Sequence, residues 1–222
     1  MASLVGVIDA GHGGKDPGCH GHQAVEKELT LIYALDLAGE LKKRGHQIIL
    51  TREDDRYLSL DERTKIANNH NPLPDFFLSI HFDSNQNPKA KGTWCLYHNK
   101  VYFQAGLTPK DQGYVISQEP SSLGRSLANT LTCYISRKAG TQFRQNQGRP
   151  FYWWDEKENQ WKKEGQLYVL RHTKSCAVLC EVCFLSNQED EMRAITRDFQ
   201  KKVISGMVLA IEEWGRKYLG KV

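Results

Sequence analysis

Strand-length apolar runs alternate with stretches of helical spacing through the first hundred residues, and that alternation restricts the fold more than any other feature. Leu4 to Asp9 is a β-prone run that stops at Ala10-Gly11-His12-Gly13-Gly14, the pattern of a core strand delivering a flexible loop. From Glu28 onward, Leu31, Leu35, Ala38 and Leu41 recur at helical spacing, and Gly45 follows the basic last turn Lys42-Lys43-Arg44 as a stop. Gln47 to Thr51 reads as a second strand, and Ser59-Leu60-Asp61-Glu62 is a capping-box pattern opening a helix that runs to about Asn69. Pro72 and Pro74 punctuate the chain before Asp75 to Ile80, a third buried strand with His81 at its end, and Gly92 to Tyr97 makes a fourth. This order predicts an α/β fold with a central, mostly parallel sheet flanked by helices on both faces.

Beyond the first hundred residues the spacing predicts a helix from Ser122 to about Lys138, strands at Tyr168 to Leu170 and Ala177 to Phe184, and a last helix over much of Asp190 to Trp214. Two stretches stand outside that scaffold: the polar Lys110 to Pro120, and the aromatic-charged Phe151 to Gly165, which suits a hairpin turning near Glu158-Asn159. A chain of 222 residues without internal repeats or low-complexity linkers is read as a single domain carrying an insertion at about 100–165.

No stretch approaches the roughly 18 consecutive apolar residues that a membrane-spanning helix needs, so no membrane insertion is expected. The N-terminus has no positive leader, long apolar segment or small-residue cleavage site, so the expectation is export without a signal, or a leader already removed. A net charge of +4 suits an anionic partner but is too small to demand one, and no nucleic-acid partner is implied. The six cysteines, at 19, 95, 133, 176, 180 and 183, are too sparse and irregular for a disulfide framework and are expected as thiols.

Four polar residues stand where open α/β sheets build their sites. His12 follows the first strand, Glu26 precedes the first long helix, His81 ends the third strand, and Glu181 lies inside the apolar run CAVLCEVCF. A carboxylate in such a run is costly to bury and needs either a functional reason or a charge partner, for which Arg171 is a candidate. Two histidines and two glutamates also meet the demand of a hydrolytic zinc site for three protein ligands, an open water position and a separate acid/base. Their spacing alone does not establish one, because it matches no compact ligand motif.

The segments VGVIDAGHGGKDPG, EKELTL, LTRED, LSLDERTKIAN, DFFLSIHFDSN and AVLCEVCFLSNQEDE together resemble the N-acetylmuramoyl-L-alanine amidases of the type 3 zinc class. They occur in that family's order and cover roughly Leu4 to Tyr97 and Tyr168 to the last helix. The resemblance implies that His12, Glu26 and His81 hold Zn2+ and that Glu181 is the catalytic proton carrier. It implies hydrolysis of the amide between muramic acid and the first L-alanine of the stem peptide, with peptidoglycan as partner and the bacterial cell wall as the place of action; a monomer is the expected working unit. The alternatives are a zinc peptidase or carboxypeptidase on other peptides, and a non-catalytic wall-binding module.

Departures from the family pattern carry expectations of their own. HFD replaces the commoner HAN after the strand histidine, so Asp83 is expected either to orient His81 through its other ring nitrogen or to make a local turn. Cys176 stands where proline is frequent, which bears on how the strand starts more than on chemistry. Cys19, His20 and His22 mimic a metal cluster but sit within one loop and are expected to line the groove or face solvent. Arg52, Asp55 and Arg63 are expected in ion pairs, and Trp153, Trp154 and Trp161 in packing of the insertion.

Overall fold

The computed structural model describes residues 3–98, 122–142 and 168–221, together with the backbone of three short strands at 147–149, 152–155 and 160–163. Strand β1 (Val5–Ala10) is buried along its whole length, as its apolar composition requires. Helix α1 (Glu26–Lys43) returns the chain to β2 (Gln47–Leu50), which pairs parallel with β1. Helix α2 (Leu60–Asn68) opens on the expected capping box: the Ser59 side chain accepts the Glu62 N–H, and Glu62 accepts the Ser59 N–H at 2.8 Å. Strand β3 (Phe76–Asp83) then pairs parallel with the other side of β1.

Strand β4 (Trp94–His98) and helix α3 (Ser122–Ala139) are followed by β5 (Gln147–Arg149) and by β6 (Tyr152–Asp155) and β7 (Gln160–Lys163). Helix α4 (Tyr168–His172), strand β8 (Cys176–Phe184), and helices α5 (Gln188–Ala194) and α6 (Arg197–Leu219) complete the chain. The main sheet runs β2-β1-β3-β8-β4-β5, and only the β4–β8 pairing within it is antiparallel.

Alternation along the central strands sends side chains into two cores. Ile8, Leu78, Val178 and Cys180 join the larger cluster, to which α1, α3 and α6 contribute. Val7, Phe77, Ala177 and Leu179 form the smaller one with Val169 and Leu170 of α4 and Ala67 of α2. Helices therefore cover both faces, as the alternation predicts. Helix α3 falls within the 100–165 stretch, yet Leu127, Leu131 and Ile135 are fully buried in the larger core.

Four expectations need correction. The buried stripe of α1 is Leu29, Tyr33, Leu37 and Leu41, with Leu35 turned outward at 39% exposure. The segment is apolar nearly all round, so more than one stripe satisfies the helical period. Tyr168 to Leu170 is helical rather than extended: three apolar residues are too few to define a period, and Tyr168 stacks on His172 four residues on, with ring centroids 3.9 Å apart. The last helix is two, because Thr196 breaks it and caps α6 by accepting the Phe199 N–H. Strand β3 continues past His81 to Asp83, with a bulge between them.

The 151–165 segment does pair as an antiparallel hairpin, β6 with β7, Asp155 opposite Gln160. The turn expected at Glu158-Asn159 and the tryptophan side chains of this segment lie outside the described residues, as does the polar 110–120 stretch.

Candidate metal centre

Parallel strands bring their C-terminal ends to one edge, and there the sheet gathers residues separated by up to 69 positions. His12 stands two residues beyond β1 with φ of 60°, a left-handed backbone uncommon for a residue other than glycine. His81 lies near the end of β3, and Glu26 is the first residue of α1. His12 Nε2 lies 3.1 Å and His81 Nδ1 3.0 Å from the same oxygen, Glu26 Oε1. The three donor atoms fall within 4.8 Å of one another, and among the described residues this is the one His/Cys/Asp/Glu group so disposed.

The surroundings hold each donor. Asp16 Oδ2 takes the other His12 nitrogen at 2.9 Å, so the ring presents Nε2 inward. The N–H groups of Cys19 and Phe82 donate to the two Glu26 oxygens at 2.8 and 3.0 Å. Gly11 packs so closely that a Cβ there would sit 2.4 Å from His81 Cε1. Burial works against charge on Glu26, but hydrogen bonds and charge from His12 and His81 outweigh it and hold the carboxyl well below its usual range. On His12 burial again opposes charge, while Glu26 and Asp16 together push its pKa up.

A buried polar frame fixes the loop that carries His12. Asp9, 1% exposed, accepts hydrogen bonds from Arg63 Nη1 and Thr51 on Oδ1 and from Ser79 on Oδ2. Arg63 also donates to the carbonyls of Ala10 and His12, at 2.7 and 2.6 Å. Arg52, fully buried, donates to the carbonyls of Ala10, Gly11 and Lys27, and Thr30 donates to Gly11 O at 2.7 Å. The ion-pair expectation thus describes Arg63 well. Arg52 binds backbone carbonyls instead, and Asp55 makes a half-exposed pair with Lys27 at 2.6 Å.

Glu181 sits on β8 directly opposite His81 on β3 and opposite Trp94 on β4. Its Oε2 is buried and has no hydrogen-bonding partner among the described residues. Burial, then the negative charges of Asp83 and Glu26, push its carboxyl well above the usual range. Asp83 accepts the Trp94 indole N–H at 3.0 Å and the Ser84 N–H at 2.7 Å. A cavity of about 300 Å³ opens beside the group, lined by His12, His81, Tyr57, Leu58, Val169 and Leu179 among others.

Cys19, His20 and His22 do not converge. Cys19 donates its thiol to the Phe82 carbonyl, burial and the Glu26 charge push its pKa up, and both histidines are exposed. All six cysteines are free thiols. Sequence reasoning passed over Asp16, Asp9 and Thr30. Only Asp9 left a trace in the sequence, as a carboxylate ending a buried strand and therefore in need of a partner.

A doubly covered α/β sheet with a three-donor, metal-competent group at the C-terminal edge of its parallel strands defines the class. The chain belongs to the N-acetylmuramoyl-L-alanine amidase family, whose pattern it matches over residues 7–213, and by that membership is a peptidoglycan amidase. It is similar to the probable cell wall amidase LytH of Staphylococcus aureus, 31% identical over 189 residues that cover 83% of this chain and 49% of LytH. The uncharacterized protein YqiI of Bacillus subtilis is 28% identical over 207 residues, 93% of this chain and 82% of YqiI. The chain thus spans about half the length of one relative and most of the other. Among solved structures it resembles the catalytic domain of the amidase CwlV from Bacillus (Paenibacillus) polymyxa var. colistinus, with 30% identity, a TM-score of 0.73, and coverage of 95% of this chain and 97% of that one.

Proposed function

We propose that this chain hydrolyses the amide between the lactyl group of N-acetylmuramic acid and the L-alanine of the stem peptide, with zinc held by His12, Glu26 and His81 and protons carried by Glu181. The observation that supports this most directly is the meeting of His12 Nε2 and His81 Nδ1 on one oxygen of the buried Glu26, with Glu181, whose Oε2 has no hydrogen-bonding partner among the described residues, on the adjoining strand. Two imidazoles and a carboxylate are the donor set of a hydrolytic zinc site that keeps a position for water.

When bound, zinc supplies Lewis-acid polarisation of the scissile carbonyl and of the attacking water. The protein's own groups do the rest. Glu181, on the strand beside His81, takes a proton from the water and returns it to the departing alanine nitrogen. The water oxygen ends in the lactyl carboxyl, and the stem peptide leaves as an amine. Asp16 keeps the His12 ring oriented, and Arg63 and Arg52 keep its loop in place. Leu58, Val169 and Leu179 give the cavity beside the histidines an apolar wall.

We read the chain as one catalytic domain acting as a monomer at the bacterial cell wall, with the 151–165 segment shaping the approach of the polymer. Among the described residues no helix is long and apolar enough to cross a membrane. The test joins metal analysis to mass spectrometry of purified muropeptides after digestion. About one zinc per chain and release of stem peptides beginning with L-alanine are expected. Cleavage within the stem peptide would identify a zinc peptidase, and wall binding without cleavage a non-catalytic module.

A further inference from the structure

The carboxylate of Glu191 takes no part in the chemistry above, yet it is fully buried. From α5 it reaches the loop ahead of α1, where Oε1 accepts the N–H groups of Gln23 at 2.6 Å and Ala24 at 2.9 Å. Gly21 faces the same oxygen, and a Cβ there would lie 2.3 Å from it.

That loop matters because α1 has no side-chain cap of its own. Val25, at the N-cap, offers no acceptor. The N–H groups of Glu26 and Lys27 donate instead to the carbonyls of Cys19 and Pro17, at 3.0 and 3.1 Å. The Cys19 N–H in turn donates to Glu26 Oε2, His20 bridges Val25, and Gly21 N–H donates to Ala24 O at 2.9 Å. Residues 17–25 are therefore the mould in which the backbone and one carboxylate oxygen of Glu26 sit. Glu191 ties that mould to α5 through a carboxylate that accepts two consecutive N–H groups, a charge-assisted contact stronger than a neutral one.

We infer that Glu191 is a positioning residue for Glu26, setting the place of that carboxylate against His12 and His81. Its consequence for metal affinity rests on the zinc reading above, while the geometric claim does not. The test is zinc calorimetry on the full chain, paired with amide hydrogen exchange, for Glu191→Ala, Glu191→Gln and Gly21→Ala. Glu191→Ala is expected to weaken zinc binding roughly 10- to 100-fold, the usual effect of removing a group that orients a ligand. Exchange should quicken at Gln23 and Ala24 and also at Cys19 and Phe82, whose N–H groups are held by Glu26 itself. Glu191→Gln keeps an acceptor oxygen and should recover most of the affinity. Gly21→Ala leaves Glu191 in place but drives the loop off its carboxylate, and should reproduce the alanine variant even if that variant does not fold.

Parental zinc affinity in a folded Glu191→Ala or in Gly21→Ala overturns the inference. So does unchanged protection of Cys19 and Phe82 while Gln23 and Ala24 open, which would confine Glu191 to bracing its own loop. A parent protein that binds no zinc sinks the metal reading, and the exchange at Cys19 and Phe82 then decides the role of Glu191 alone.

Discussion

Replacing Arg63 with methionine isolates the polar frame beneath the candidate metal centre. The Arg63–Asp9 pair is 2.7 Å long, with side chains only 4% and 1% exposed, so the substitution leaves a carboxylate in the interior without its ion-pair partner. Breaking a buried pair from one side typically costs about 3–5 kcal/mol. On a total stability of roughly 5–15 kcal/mol that is a large share, and at about 2–4 °C per kcal/mol for a chain of this size it lowers the melting temperature by about 6–20 °C. Arg63 also donates to the carbonyls of Ala10, His12 and Leu58, which favours the upper part of that range.

The pH dependence follows from the direction of the Asp9 shift. Burial opposes its charge, but Arg63, Ser79 and Thr51 outweigh burial and lower its pKa. A carboxyl depressed on folding stabilises fully above its unfolded value of about 3.9 and loses that contribution as pH falls through the native value. Losing Arg63 moves the Asp9 pKa upward from its parental value, and protonation then relieves part of the damage. The gap in melting temperature between parent and Arg63→Met should be widest near neutrality and close on acidification. Calorimetric scans across pH measure it, and Asp9→Asn added to the variant should recover part of the loss. A variant melting within about 3 °C of the parent at neutral pH, less than one or two kcal/mol of damage, would refute the argument.

Glu181→Gln should keep zinc content and melting temperature while wall-clearing activity falls on the order of 100- to 10,000-fold, and near-parental turnover would move the proton role elsewhere. Gly11→Ala puts a Cβ 2.4 Å from His81 Cε1, so the ring must retreat by roughly 1 Å, far beyond the ~0.2 Å tolerance of a metal bond; calorimetry should show zinc affinity collapse, and unchanged affinity would mean that His81 is not a ligand. Replacing residues 151–165 with a tight turn should weaken pelleting with purified walls and leave the melting temperature nearly unchanged. A large drop in melting temperature would show instead that the hairpin belongs to the core.

Local signals in this chain were legible because the forces behind them are local. The Ser59–Glu62 capping box, the Gly45 stop after α1 and the buried β1 and β8 runs follow from neighbours a few residues apart. Where local signals were degenerate the sequence misled: the apolar α1 allowed a wrong stripe through Leu35, three apolar residues at Tyr168 read equally as strand, and only Thr196 turning its hydroxyl to Phe199 split the last helix. His12, Glu26, His81 and Glu181 stood out one by one, as polar residues at strand ends or helix starts and through resemblance to a family. Their convergence was a tertiary matter, because parallel pairing of β1, β3 and β8 aligns their ends while long crossovers hide that alignment from the sequence. The supporting groups were more deeply hidden. Asp9 with Arg63, Arg52 with the Ala10 and Gly11 carbonyls, and Glu191 with the loop at Gln23 span 41 to 168 positions, and no short-range pattern encodes which buried charge meets which backbone group.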